Sequence, residues 1–383
     1  MAKGPRKSVG RKSARKAAPK KAARKTPAKK VAKSVASGPP LTLEEAQALA
    51  RARRPVRTTR RALAAATTTP AAVGAERKRL QQSHDEERAR RLQEYEDTMA
   101  LLKQRGVRRT TTARKTTKAT KARRTLAKNA GGSASFKPLQ VLAEGDSWFD
   151  YPIPLFGGGI IPRLQKRLGV PILNMADAGD EVRFMLGVAQ RKRMVQMLLN
   201  GCPAGGPWDV LLFSGGGNDI VDNPMALWVR NFTAGGSAAS QLHQPRFDTA
   251  LALVRAGYED LIELRDGLSP TTHLVFHGYD FAIPDGRGVC NYGPWLKPTF
   301  DLRGFPSQAA GQAVVKVMLQ QFQAMLTQLA GAHPKVTCVA TQGTLAPQAS
   351  SWHNELHPAK TGFETFATKF QQHLKTLFPT RVQ

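Results

Sequence analysis

The sequence predicts an α/β protein, a three-layer α/β/α sandwich on about five parallel strands, preceded by a basic arm carrying one or two helices. Three observations carry that expectation. First, short apolar runs recur near residues 138–143 (PLQVLA), 171–175 (PILNM), 208–213 (WDVLLF), 273–277 (HLVFH) and 336–340 (VTCVA). Second, helix-forming stretches lie between or after them, near 160–168, 181–199, 247–266, 307–330 and 361–377. Strands covered on both faces read as unbroken apolar runs, and parallel neighbours need a crossover, usually a helix. Third, charge is partitioned. Residues 1–130 hold 37 Lys/Arg against 9 Asp/Glu, a net of +28, whereas residues 131–383 hold 21 against 19, a net of +2. The near-neutral part is long enough to bury a sizeable core.

Taken in order, residues 2–38 are almost wholly Lys, Arg, Ala, Pro, Ser, Gly, Val and Thr. Nothing there can be buried to offset the entropy of ordering, so residues 1–40 are expected to be a disordered tail. In composition it resembles the tails of linker histones and of bacterial histone-like proteins. At Leu41 the character changes. Thr42 with Glu45 reads as a capping box opening a short helix through about Arg54, stopped before Pro55. From Ala75 to about Gly106 a second helix is expected, with Leu92, Tyr95, Met99 and Leu102 forming one apolar stripe. That stripe fits either a helix docked on the following domain or weak self-association through residues 75–105. Residues 107–135 return to a basic, Thr-rich linker ending near Gly131, Gly132 and Ser133. The domain proper is expected over 136–383, with helices of the 41–106 segment ahead of it.

Composition also excludes classes. No run approaches the ~18 apolar residues of a transmembrane segment, and the apolar stretch of a secretory signal is missing at the N-terminus. Cys202, Cys290 and Cys338 form an odd, widely spaced set without a CxxC pair, so buried thiols in a reducing compartment are expected rather than disulfides or zinc. The expected location is cytoplasmic, with nucleoid association as an extension. A net +28 on residues 1–130 would hold nucleic acid non-specifically through counterion release. An anionic membrane surface, another polyanion, or no partner remain the other readings. No helix-turn-helix, zinc finger or aromatic-bearing RNA motif that would read bases is present.

In open parallel sheets the chemistry lies at the C-terminal ends of the strands. Three polar clusters fall there: Gly145-Asp146-Ser147-Trp148 after the first run, Asn174 to Gly179 after the second, and Gly216-Gly217-Asn218-Asp219 after the third. A fourth, Trp352-His353-Asn354-Glu355-Leu356-His357-Pro358, precedes the last helix. In kind and order these blocks resemble those of the SGNH/GDSL hydrolase family, over roughly residues 138–378 and none of the tail. The resemblance implies a flavodoxin-like sandwich and a serine hydrolase that cleaves an acyl ester through an acyl-serine intermediate, without metal or organic cofactor. Ser147 would be the nucleophile and His357 its general base. The backbone N–H groups of Ser147 and Gly179, with the Asn218 side-chain amide, would form the oxyanion hole. A tetrahedral oxyanion needs several fixed neutral donors, and losing one typically costs about 10²–10³ in rate.

The chain departs from the family's Asp-x-x-His pattern, because position 354 is Asn. An Asn can present its Oδ1 to the imidazole N–H and keep the tautomer, but it lacks the charge that stabilises imidazolium. A Ser147–His357 dyad with neutral support from Asn354 is therefore expected, and a weakened enzyme with it. Glu355 stands one residue out of register and is expected to point elsewhere.

Bland readings stand beside these. His353 and His357 have i, i+4 spacing, but Pro358 and the displaced Glu make a loop a better reading than a zinc site. Asp146 suits a turn-bracing role rather than acid catalysis. Tyr279, Asp280 and Arg287 follow the fourth run and are candidates for substrate contacts; the alternative is a Pro/Gly-shaped loop held by its own hydrogen bonds. Gly157–Gly159 and Gly215–Gly217 read as close-approach turns, not phosphate cradles, and the apolar faces near 181–199 and 307–330 as core. Two other functions stay open: a histone-like polyanion binder with a degenerate hydrolase domain, and a glycan deacetylase or acyltransferase.

Overall fold

Five parallel strands form one sheet in the order β2-β1-β3-β4-β5. They are β1 (Val141–Gly145), β2 (Ile172–Asn174), β3 (Val210–Ser214), β4 (His273–His277) and β5 (Val336–Val339). This is the flavodoxin-like strand order. The computed structural model describes residues 39–52, 70–106, 138–289 and 292–382. The expectations for residues 1–38 and 107–137, and for Cys290, fall outside the described residues. Among the described residues, no helix is long and apolar enough to cross a membrane.

The apolar runs dictate this sheet. Every residue of β1 and β3 is buried, and the two strands pair from Val141↔Val210 to Gly145↔Ser214. The helices are α1 (Leu43–Ala52), α2 (Pro70–Arg105), α3 (Ile160–Leu168), α4 (Val182–Met185), α5 (Val188–Asn200), α6 (Gly217–Ile220), α7 (Gln244–Leu268), α8 (Lys297–Leu302), α9 (Gln308–Ala332) and α10 (Lys360–Leu377). Helix α3 packs on α10, while α7 packs on both α5 and α9.

The single helix expected near 181–199 is two. Gly187 is extended (ψ 166°) and caps α5, and a side chain there would meet the Arg183 carbonyl at 2.9 Å. The break turns Met185 and Met194 into the core but leaves Phe184 and Val188 exposed, so that face is not uniformly core.

Residues 39–52 and 70–106 belong to the same packed unit as the sheet. The capping box forms: Thr42 N donates to Glu45 Oε2 at 2.8 Å, and Glu45 N to Thr42 Oγ1 at 3.2 Å. The helix it opens ends at Ala52. Helix α2 runs beside the edge strand β2. Its Tyr95 packs on Trp208 with centroids 5.6 Å apart, and the Tyr95 hydroxyl meets Cys202 Sγ at 3.3 Å. Met99 joins the same core, a burial that contributes about 1.5–3 kcal/mol. The stripe is thus covered by the chain's own domain, which is the docked-helix alternative of the two that it left open. Of the thiols, Cys202 is buried and Cys338 half-buried, and neither is in a disulfide.

Candidate active site

Strand β1 ends at Gly145, a position where nothing larger fits: a Cβ would lie 2.7 Å from the Ser214 carbonyl. The chain then turns. Asp146 N donates to Ser214 O at 3.0 Å, while Phe149 N and Asp150 N both donate to Asp146 O at 3.0 Å. That turn places Ser147 at the C-terminal edge of the sheet, 8% exposed.

The Asp146 carboxylate faces inward and braces the turn. It accepts from Trp148 N at 2.9 Å, Ser214 Oγ at 2.8 Å and Tyr279 Oη at 2.6 Å. Burial pushes its pKa up to about 6 against the pull of those donors. Ser214 Oγ, donating to Asp146, accepts in turn from His277 Nε2 at 2.8 Å. Since Tyr279 N donates to His277 Nδ1 at 3.2 Å, Nε2 must carry the proton. Burial holds His277 down to about 3, so the ring is neutral.

His357 Nε2 lies 2.6 Å from Ser147 Oγ, and its Nδ1 lies 2.9 Å from Asn354 Oδ1. Asn354 Oδ1 also accepts from Leu356 N at 3.0 Å and His357 N at 2.9 Å. Three donors converge on that atom, so it is the oxygen, and a flipped amide would set N–H against N–H. Nδ1 of His357 therefore carries the proton, and Nε2 is free to accept from the Ser147 hydroxyl. Asn354 Nδ2 donates to Tyr151 Oη at 3.2 Å, which in turn meets His353 Nδ1 at 2.6 Å. The Tyr151 ring packs against His357, tilted by 35° with centroids 4.5 Å apart. Burial, with a smaller push from His353, lowers His357 to about 3.

The loop bearing His357 is tied on both sides. Trp148 Nε1 donates to Leu356 O at 3.1 Å, linking it to the serine turn. Arg287 donates to Trp352 O at 2.9 Å and Ala349 O at 3.1 Å and pairs with Asp285 at 2.6 Å. Glu355 is fully buried. Its carboxylate collects the N–H groups of Gly286, Trp295, Leu296 and Lys297 at 2.5–3.0 Å. A carboxylate so engaged faces away from His357 and leaves Asn354 as the partner of the ring.

Of the donors expected around an oxyanion, Ser147 N and Gly179 N make no hydrogen bond among the described residues. Gly179 has φ +90°, and the space where a Cβ would sit is open. Asn218 Nδ2 donates to Asp180 O at 2.9 Å, which leaves its second N–H. The turn bearing Asn218 needs its glycines: a Cβ on Gly217 would lie 2.8 Å from the Tyr279 ring. Tyr279 Oη also accepts from Gly217 N at 3.0 Å.

Ser147, Asn218 and His357 line a cavity of about 40 Å³ whose far wall includes Val315, Met318 and Leu319; Gly179 is outside that lining. Tyr279 and Asp280 line it too, yet their polar groups are engaged elsewhere. The Asp280 carboxylate accepts from Gly343, Leu345 and Phe281 N at 2.6–2.8 Å. Arg287 braces the histidine loop instead of facing the cavity. The bonds made by Tyr279 and Asp280 fit the internally bonded loop, and Arg287, whose side chain is partly exposed, braces the same loop.

Sequence reasoning missed Tyr151, Ser214 and His277. His277 ends β4 and Ser214 ends β3, so position at a strand's C-terminal end was a usable signal for both; Tyr151 carried none. His353 and His357 are turned to different partners, and among the described residues no group of three or more His, Cys, Asp or Glu could hold a metal ion.

No protein-family model and no curated protein matches the chain. Solved structures do. A lipase from a goat rumen metagenome is similar with a TM-score of 0.40 and 16% identity, over 61% of this chain and 96% of that one. An extracellular lipase from Streptomyces rimosus gives 0.38 and 17%, over 61% and 98%. A carbohydrate esterase family 3 protein from Talaromyces cellulolyticus gives 0.35 and 11%, over 62% and 97%.

Proposed function

We propose that this protein is a serine hydrolase of the SGNH/GDSL kind that cleaves an acyl ester. The observation that carries the reading is the 2.6 Å contact between Ser147 Oγ and His357 Nε2, in a buried site where Asn354 fixes the ring's tautomer. In the proposed reaction Ser147 Oγ attacks the acyl carbonyl carbon while its proton passes to Nε2. The carbonyl oxygen, now negative, is met by the N–H groups of Ser147 and Gly179 and by the Asn218 amide. The tetrahedral species collapses, the alcohol leaves with the proton from Nε2, and water repeats the sequence to release the acid. The low pKa of His357, about 3, keeps the ring unprotonated at neutral pH, so Nε2 is open to the serine proton.

The cavity argues for a small apolar acyl group. Its charged and hydroxyl groups are bonded within the protein, so it offers few partners to a polar substituent. At roughly 10–15 Å³ per water-sized position, 40 Å³ holds about three such positions, or an acyl chain of about two to four carbons. A basic segment of net +28 would tether the enzyme to nucleic acid or another polyanion; salt-sensitive retention of the full chain on duplex DNA tests this.

The test of the activity is turnover of p-nitrophenyl acetate and butyrate by the full chain, beside Ser147→Ala. Turnover lost in Ser147→Ala is expected. No turnover by the wild-type chain would favour the polyanion-binding scaffold, which the neutral Asn354 keeps in view.

A further inference from the structure

We infer that helix α2 completes the active site of the domain it covers: Arg88 is a positioning residue whose charge offsets that of the two carboxylates flanking Gly179. The inference rests on the hydrolase reading above. Arg88 is 5% exposed, and its Nη2 lies 3.6 Å from Asp177 Oδ2 and 3.6 Å from Asp180 Oδ2. Those residues bracket the turn whose Gly179 N–H faces the developing oxyanion in the proposed reaction.

The contact is one of charge rather than hydrogen bonding, since Arg88 Nη2 and Asp180 Oδ2 are both buried without a hydrogen-bond partner. The rest of the loop also hangs on α2. Arg91 donates to Ala176 O at 3.0 Å and Asn174 O at 3.4 Å, and pairs with Asp150 at 2.6 Å. His84 meets Asp177 at 2.7 Å. Below them Glu144 is wholly buried; burial raises its pKa to about 8 while the charges of Arg88 and Arg193 oppose the rise.

The same loop sets a second oxyanion donor. Asp180 O accepts from Asn218 Nδ2 at 2.9 Å, and Val182 N donates to Asp219 Oδ2 at 2.9 Å. Two of the three proposed donors are thus held by residues 177–182, a segment carrying three carboxylates in its first five residues. An oxyanion forming beside unneutralised carboxylates is destabilised, most of all where the surroundings exclude water. A cation from α2 offsets part of that field before the reaction begins. The helix that follows the basic tail is therefore tied to the chemistry as well as to the fold.

The test is steady-state hydrolysis of p-nitrophenyl butyrate by the full chain, with thermal melting of each variant alongside. Arg88→Met is expected to lower kcat about tenfold, equivalent to about 1.4 kcal/mol, with KM little changed, and Arg88→Lys to retain most of the activity. The deciding variant is Arg88→Met with Asp180→Asn, which removes a carboxylate as well as the cation and should recover most of the lost kcat. A structural role for Arg88 would move kcat and the melting temperature down and back together, so the inference requires a loss and recovery of kcat beyond any change in the folded fraction. If Arg88→Met alone does not fold, the double variant is compared with Asp180→Asn, and kcat within about threefold is expected.

An Arg88→Met protein with wild-type kcat overturns the inference, as does a loss that Asp180→Asn leaves in place. A wild-type chain without turnover instead overturns the hydrolase reading and, with it, the role of Arg88; the two failures are told apart by the wild-type measurement.

Discussion

Replacing Asn354 with Asp restores a charge where the imidazole needs it, and the gain can be sized. Asn354 is fully buried, and its Oδ1 lies 2.9 Å from His357 Nδ1. In the transition state His357 becomes imidazolium. A hydrogen bond to a charged group contributes about 1.5–3 kcal/mol against about 0.5–1.5 for a neutral one, so a gain of ~1–2 kcal/mol is expected. That is a rise of roughly 5- to 30-fold in kcat. It is smaller than the about 10⁴ lost on the reverse change in the serine-protease template, because Asn354 already secures the tautomer. The new carboxylate loses the donor of Nδ2, but Tyr151 Oη, now 3.2 Å from that atom, can turn and donate instead. The half-buried His353 then supplies Nδ1–H to Tyr151. The assay is kcat/KM for p-nitrophenyl butyrate from acid to neutral pH. The wild-type limb should lie below the usual imidazole range, since burial holds His357 at about 3. A neighbouring carboxylate stabilises the protonated ring and raises its pKa, so the Asn354→Asp limb must move to higher pH. A folded Asn354→Asp protein that is no faster at pH 8, or whose acid limb has not risen, refutes the reasoning.

Other expectations concern the cavity and the buried carboxylates. Acetyl and butyryl esters should turn over faster than octanoyl, and Leu319→Ala, which opens the cavity wall, should narrow the gap; an octanoyl preference in the wild-type chain contradicts the assigned size. Tyr279→Phe removes a donor from buried Asp146 and the acceptor of Gly217 N. It should cost about 1–3 kcal/mol in denaturant melts and lower kcat; an unchanged midpoint speaks against the bracing role. The folded pKa of Glu144 lies above its usual 4.5, at about 8. The folded state therefore holds that proton longer than the unfolded one, and stability falls by roughly 1.4 kcal/mol per pH unit across that window. Glu144→Gln escapes the loss, so its melting temperature relative to wild type should rise from pH 5 to pH 9, and a pH-independent difference would count against it.

The strands were readable because a strand buried on both faces tolerates almost only apolar residues; β4 falls where its run stands, His273–His277. The split of α4 from α5 was not, since Gly187 within a helical pattern is tolerable until tertiary contacts turn the chain. Ser147 and His357 could be named from local motifs. The network beneath them could not, because it joins residues far apart in sequence, as Tyr151 to His353 or Tyr279 to Asp146. Neighbouring residues also diverged: Asn354 turns to the imidazole and Glu355 to the N–H groups of another loop. The stripe of α2 left docking and self-association equally open, and nothing in the sequence singles out Arg88 and Arg91. Only the packed structure sets them against the loop after β2.

The most direct measurement is peptide mapping by mass spectrometry after treating the full chain with a fluorophosphonate probe. An adduct confined to Ser147, blocked by prior incubation with a short-chain ester and absent from Ser147→Ala, is the expected result. No adduct at any serine, or equal labelling of the Ser147→Ala protein, would contradict an activated nucleophile at this site.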